Sequence, residues 1–343
     1  MKAQTQKEIC PYGRKLLLNL LQAFEAEIAG AQEAKDIEHV HQLRVSSRRL
    51  RSAFPLFQVC LPNKQAKSWL NQIRHITGSL GHARDLDVQI DFLEKYVQTL
   101  EDKRYEPGIR RIILRLNQQR QMTQSDVVHV LSKLEQKNTL QVMKNYLESA
   151  DSPGNDAGSY PISLYRLAYK AISKRLKTYL SYDQFVHLPD CIKELHEMRI
   201  AAKELRYTME IFAPIYLTGL RSSYQVMRKT QDLLGAIHDC DVWINFIPDF
   251  IQAEKQRTLD FYGQSSPYHF LLPGLANFLQ DRQAERERIY ANFRKEWEKW
   301  KSEAVWDSLL ANIQMPTYPR DAIATEETDQ PNAPDDQTNC PDC

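Results

Sequence analysis

The sequence predicts an all-α protein built by internal duplication, and three observations carry that reading. Only 11 glycines occur in 343 residues, while Leu, Gln, Lys, Arg, Glu and Ala abound, which favours long helices over a turn-rich β architecture. A long motif occurs twice at a nearly constant offset, and duplication of that kind sets the architecture. Apolar residues recur at helical spacing, as in Ile109, Ile112, Ile113 and Leu116, the i, i+3, i+4, i+7 pattern of a buried stripe.

The first repeated block is His41-Gln-Leu-Arg-Val-Ser-Ser-Arg-Arg-Leu-Arg51, continuing to Phe57. It returns 155 residues later as His196-Glu-Met-Arg-Ile-Ala-Ala-Lys-Glu-Leu-Arg206, continuing to Phe212. The second block, Leu80-Gly81 through Asp85, Asp87 and Val88, returns 154 residues later as Leu234-Gly235 through Asp239, Asp241 and Val242. Between the copies, residues 151–161 are rich in Pro, Gly, Asn, Asp and Ser, which stop helices and supply turns. The expected division is a first helical bundle over 1–155, a second over 156–315, and a disordered acidic, Pro-rich tail over 316–343. About four or five helices are expected in each bundle.

Charge is uneven along the chain. Residues 316–343 hold seven acids against Arg320, −6 in all, so the whole-chain net of +1 leaves +7 on residues 1–315. That surplus is too small to make a polyanion site by bulk charge, so any such site must come from patterning. The six cysteines are scattered and the N-terminus has no apolar signal core, which suggests a reduced, cytoplasmic setting. No stretch approaches the ~18 apolar residues of a membrane span.

The patterning lies in the first block. On a helix, His41, Arg44, Arg48 and Arg51 share one face, while Leu43, Leu50, Phe54 and Phe57 occupy nearly the opposite one. With ~1.5 Å of rise per residue the cationic ladder is ~15 Å long, enough to meet several phosphates of an extended chain. The second copy repeats it as His196, Arg199, Lys203 and Arg206, backed by Met198, Leu205, Met209 and Phe212. A run of helix cations is most often an ordinary wet surface, but such surfaces mix signs to gain i,i+4 pairs. Neither ladder position holds an acid, and the pattern occurs twice, so a binding role is favoured. For His41 and His196 two readings stay open: hydrogen-bonded structural residues, or ligands whose pKa a polyanion would raise.

The paired aspartates of the second block, Asp85 with Asp87 and Asp239 with Asp241, also admit alternatives. They could hold Mg²⁺ or Ca²⁺, cap a helix after a glycine-permitted turn, or brace the ladder arginines. Structural support is the favoured reading. Arg74 and Arg228 correspond across the repeat, as do Lys67 and Arg221. Arg111 and Arg115 are matched to Arg282 and Arg286 on the assumption of an insertion around 253–273. Lys170 and Lys174, four residues apart, extend the patch.

No phosphate loop and no dinucleotide fingerprint is present, and Cys340-Pro-Asp-Cys343 is a lone pair in the tail. His238-Asp239 resembles the dipeptide of metal phosphohydrolases, but its counterpart is Arg84-Asp85. No catalytic residue, metal or cofactor is therefore expected.

The two blocks, HQLRVSSRRLRSAFPLF with LGHARDLDV and HEMRIAAKELRYTMEIF with LLGAIHDCDV, resemble the signature of the CHAD (conserved histidine α-helical domain) family over essentially residues 10–310. That resemblance implies two pseudo-twofold-related four-helix-type bundles with a basic groove or channel between them. It also implies binding of long-chain inorganic polyphosphate and targeting to polyphosphate granules. The family's basic residues map onto Arg44, Arg48, Arg51, Arg199, Lys203 and Arg206, with His41 and His196 as its namesake histidines. The Glu-x-Glu-x-Lys marker of the CYTH enzymes often joined to such domains is missing, so a stand-alone protein is expected. The expected function is polyphosphate binding without catalysis, and neither membrane nor nucleic acid is an expected partner. The alternatives are a metal-dependent phosphohydrolase and a nucleic-acid-binding or scaffold protein.

Overall fold

The computed structural model describes residues 2–33, 36–149, 160–216 and 219–314, with side chains from Glu8 onward. The acidic tail and residues 151–159 of the connecting segment lie outside the described residues. Among the described residues, eleven α-helices run in order: α1 (Lys2–Glu25), α2 (Ile28–Glu33), α3 (Ile37–Ala53), α4 (Asn63–Gln98), α5 (Glu106–Gln136), α6 (Thr139–Glu148), α7 (Ile162–Leu180), α8 (Ile192–Phe212), α9 (Arg221–Tyr262), α10 (Leu272–Ser302) and α11 (Val305–Asn312). Among the described residues there is no strand, and no helix is long and apolar enough to cross a membrane.

Local sequence explains the helix ends. The Asp36 carboxylate accepts from the Glu38 N–H at 2.8 Å and caps α3. Pro107 and Pro273 occupy the first turns of α5 and α10, where a missing N–H costs nothing. The long α9 stops at Gly263, whose φ of +69° suits a residue without Cβ.

The apolar faces read from the sequence are buried as expected. Leu43, Leu50, Phe54 and Phe57 on one copy, and Met198, Leu205, Met209 and Phe212 on the other, lie in the core. That core does not divide at the connecting segment. A larger cluster joins α1, α3, α6, α7, α8 and α11 with the first half of α4 and α9 and the second half of α5 and α10. A smaller one joins the remaining ends of α4, α5, α9 and α10 around Phe92, Trp243 and Phe278.

Between these clusters runs a belt of buried charge. Arg120 of α5 donates from Nε to Asp87 at 2.6 Å, and Arg286 of α10 donates from Nε to Asp241 at 2.5 Å, with every one of these side chains at most 13% exposed. Gly81 and Gly235 lie inside continuous helices, which corrects the expected glycine turn. Helix capping by the following aspartates falls with it.

Two further glycines mark where the halves press together. A Cβ on Gly108 would come within 2.5 Å of the Leu271 carbonyl oxygen, and one on Gly274 within 2.0 Å of the Tyr105 carbonyl oxygen. Both lie beside a proline in the first turn of their helices. The Pro-Gly pairs 107–108 and 273–274 are 166 residues apart, and so are Arg120 and Arg286. Arg120 and Arg286 thus share both their spacing from a Pro-Gly pair and a contact to a buried aspartate, whereas Arg111 and Arg115 have a different task. Together with Arg257 they surround Glu254, whose side chain is fully buried, at 2.7–3.0 Å. Burial alone would raise that carboxyl, but the three guanidiniums hold it below its ordinary value. Gly274→Ala is expected to lower stability by about 2–4 kcal/mol, because backbone rather than a flexible side chain blocks the new methyl group. Chemical denaturation at constant m-value checks it.

The cysteine reading needs one correction. Cys10 of α1 is disulfide-bonded to Cys60, just beyond α3, across a separation of 50 residues. Cys191 and Cys240 are free.

Candidate functional site

Helices α3 and α8 pack against each other and bring the central cations of both ladders into one another's field. Arg44 lies in the field of Arg48 and Arg199, and Lys203 in that of Arg199, Arg48 and Arg44. Two halves of the sequence thus contribute Arg44, Arg48, Arg199 and Lys203 to a single cluster. Like charges at close range repel, so the fold must hold them there at some cost.

The beds for two of these arginines are the mid-helix glycines. A Cβ on Gly81 would sit 3.7 Å from Arg44 Nε and Nη2, and one on Gly235 would sit 3.8 Å from Arg199 Nε. Arg44 and Arg199 therefore lie close over these glycines of α4 and α9. Each Nε is buried and has no hydrogen-bond partner. Arg44 Nη2 donates to Asp85 at 3.4 Å, a long contact to a carboxylate that is 67% exposed, and Asp239 supplies the corresponding negative charge near Arg199. Neither Arg48 nor Lys203 has a carboxylate within ion-pair distance among the described residues.

The aspartates therefore divide their work. Asp85 accepts from Arg44, and Asp239 lies in the field of Arg199. Asp87 and Asp241 instead fix the arginines of α5 and α10. Among the described residues, no group of three or more His, Cys, Asp or Glu side chains is placed to hold a metal ion.

Burial and the neighbouring arginines push Lys203 down to about 7. A lysine of depressed pKa destabilises the fold wherever the unfolded chain binds the extra proton, so stability contributed here rises with pH between about 7 and the ordinary lysine value of 10.5. Lys203→Met is accordingly expected to stabilise the protein at pH 6–7 by on the order of 2 kcal/mol. The gain should fade towards pH 10, and calorimetric Tm values at the two extremes check it.

The histidines differ between halves. His196 and His238 have their Nδ1 atoms 3.1 Å apart and ring centroids at 4.3 Å. Burial, with Arg199, pushes both below the ordinary imidazole value, His238 to about 4. His41 has no such partner. Burial and Arg84, which stands where the second half has His238, lower it as well. In the unliganded protein these imidazoles are neutral at pH 7.

Other sequence candidates fall outside the cluster. Arg206 is committed elsewhere: it donates to Gln231 at 2.9 Å, to Glu210 at 2.6 Å and to the Tyr224 hydroxyl at 3.1 Å, and it stacks over Tyr207. Burial alone would lower its pKa, but Glu210 and Tyr224 raise it. Its ladder place is thus filled by an internally neutralised arginine, a correction to the expected ligand set. Arg51 is exposed near the end of α3. Arg74 and Arg228 are exposed seven residues before Gly81 and Gly235, hence on the same stripe of α4 and α9 as the glycine beds. Lys170 and Lys174 are exposed on α7, which packs against α8, and neither makes an ion pair among the described residues. Sequence reasoning missed Arg120, the Glu254 cluster and the glycine beds. The repeated Pro-Gly pairs were a signal that could have located Arg120.

Comparisons with known proteins agree with this architecture. The chain superposes on the crystal structure of the CHAD domain from the plant Ricinus communis with a TM-score of 0.58, covering 83% of this chain and 91% of that one at 20% identity. It is also 25% identical over 225 residues to uncharacterized proteins from two strains of Mycobacterium tuberculosis, across 61% of this chain and 40% of each relative. The chain thus spans about two fifths of those relatives' length. The family model of the CHAD domain matches residues 15–248, so the chain belongs to the CHAD family.

Proposed function

We propose that this protein binds long-chain inorganic polyphosphate, without catalysis, through the cluster formed by Arg44, Arg48, Arg199 and Lys203. The carrying observation is that four cations from two helices converge with unspent donors. Among the described residues, Arg48 and Lys203 have no carboxylate within ion-pair distance. A chain of phosphates supplies what is missing: closely spaced anionic oxygens that accept charge-assisted hydrogen bonds. Release of its condensed counterions adds driving force, as with nucleic-acid backbones. That the polyanion is polyphosphate is what the family resemblance implies.

In this reading the two halves are duplicated, pseudo-twofold-related bundles, and the cluster lines a basic groove between them. The exposure of Asp239, which lies in the field of Arg199 and Lys203, supports solvent access to the cluster. Arg51, Arg74, Arg228, Lys170 and Lys174 then extend the path beyond the cluster. Against a phosphohydrolase, two of the four aspartates it would need are spent on Arg120 and Arg286. The proposed location is the cytoplasm, at polyphosphate granules. A fluorescent fusion tests it, and alkylation on lysis reads the Cys10–Cys60 state, because reducing compartments keep such bonds open.

Equilibrium binding of long-chain polyphosphate tests the reading, with free phosphate monitored in Mg²⁺ and Mn²⁺. Saturable binding without phosphate release is expected. Phosphate release would establish the hydrolase. Displacement of polyphosphate by DNA or RNA at equal phosphate concentration would establish the nucleic-acid binder.

A further inference from the structure

We propose that binding at this site is proton-coupled: the His196–His238 pair and Lys203 each take up a hydrogen ion from solution as a polyanion arrives. This deepens the polyphosphate reading and rests on it.

The geometry of the pair sets its chemistry. With Nδ1 atoms 3.1 Å apart, one ring donates and the other accepts. In the neutral pair, whichever ring donates from Nδ1 has a bare Nε2, while its partner's Nε2 carries the hydrogen. One Nε2 can therefore donate to a phosphate oxygen, and the other presents a lone pair that repels it. A single added proton makes both Nε2 atoms donors and keeps the Nδ1–H···Nδ1 bond. A second proton would break that bond, so the pair takes one and titrates as a unit.

The surroundings explain why the proton is absent until the ligand comes. His196 faces Arg199 and Lys203 of its own helix, with Glu197 and Asp241 opposing them, and His238 of α9 faces Arg199, His196 and Lys203. Lys203 faces Arg199 on α8, Arg48 and Arg44 on α3, and Asp239 on α9. Cations predominate around His238 and Lys203, the two signs are equal in number around His196, and burial lowers all three. A bound polyanion reverses the local field and raises each proton affinity. The first half has a permanent cation, Arg84, where the second has His238, so only the second half has a paired imidazole and His41 answers a polyanion singly.

The sign follows from the directions. Groups whose proton affinity rises on binding strengthen binding fully below their free values, and that advantage is lost as pH climbs through the bound values. Lys203, free at about 7, governs the range above neutrality. The histidine pair, depressed in the free protein, governs the acidic range.

The test is calorimetric titration of the whole protein with long-chain polyphosphate, whose interior groups stay ionised throughout. It is run in two buffers of unequal ionisation enthalpy at about pH 5.5 and about pH 8, above the free values of His238 and Lys203 respectively. Uptake of roughly half to one proton per protein is expected at each pH. In Lys203→Arg the uptake at the higher pH should vanish, and in the double variant His196→Gln with His238→Gln the uptake at the lower pH should fall to the share that His41 takes. Binding without uptake at either pH overturns the proposal. So does acidic uptake that is undiminished in the double variant His196→Gln with His238→Gln at native helicity. The wild-type count stands even where a variant fails to fold, and a wild-type protein that binds no polyphosphate refutes the underlying reading instead.

Discussion

Replacing Arg48 and Lys203 together by glutamate is expected to weaken polyphosphate binding at least ~100-fold. Each charge-assisted hydrogen bond is worth about 1.5–3 kcal/mol, so losing two gives roughly two to four powers of ten before any new repulsion is counted. The fold should survive, for a reason specific to this site. Both residues lie in the field of Arg44 and Arg199 without a carboxylate partner, so glutamates there relieve repulsion that the native cluster bears. Helicity and Tm are expected to hold or rise while affinity collapses. Equal losses of both would mean that the cluster is structural.

The second large effect falls on stability. Asp241→Ala leaves Arg286, whose side chain is 12% exposed, without its carboxylate in the belt between the two apolar clusters. Removing one partner of a buried pair typically costs 3–5 kcal/mol, because the other charge stays buried and uncompensated. Asp87→Ala should do the same through Arg120. The pair is nevertheless not a net gain over an apolar filling: burial raises the Asp241 carboxyl despite Arg286. Asp241→Ala combined with Arg286→Met should therefore recover most of the loss. Urea denaturation of the single and double variants measures it, and a double variant as unstable as the single would contradict this account.

The parts of this structure governed by local period were legible in the sequence. Helix content, both apolar faces and the repeat itself follow from spacing within one or two turns, and the structure buries Leu43, Phe57, Met198 and Phe212 as that spacing requires. The family resemblance rested on the same blocks. What sequence could not show was contact between distant segments. That Arg44 and Arg199 lie on Gly81 and Gly235, inside helices rather than at turns, depends on which helices pack together. The Cys10–Cys60 pairing is equally hidden, since spacing does not fix connectivity. The partner of Arg206 was within reach: Glu210 stands four residues on, one turn beyond the ladder, and neutralises its last member.

The central claim is that Arg44, Arg48, Arg199 and Lys203 bind a polyanion by meeting its charges, and the salt dependence of affinity tests it most directly. With four cations replacing condensed counterions, log affinity for long-chain polyphosphate should fall linearly with log salt, with a slope of about −3 by analogy with nucleic-acid backbones. A slope near zero, with binding intact from low to high salt, would contradict the account.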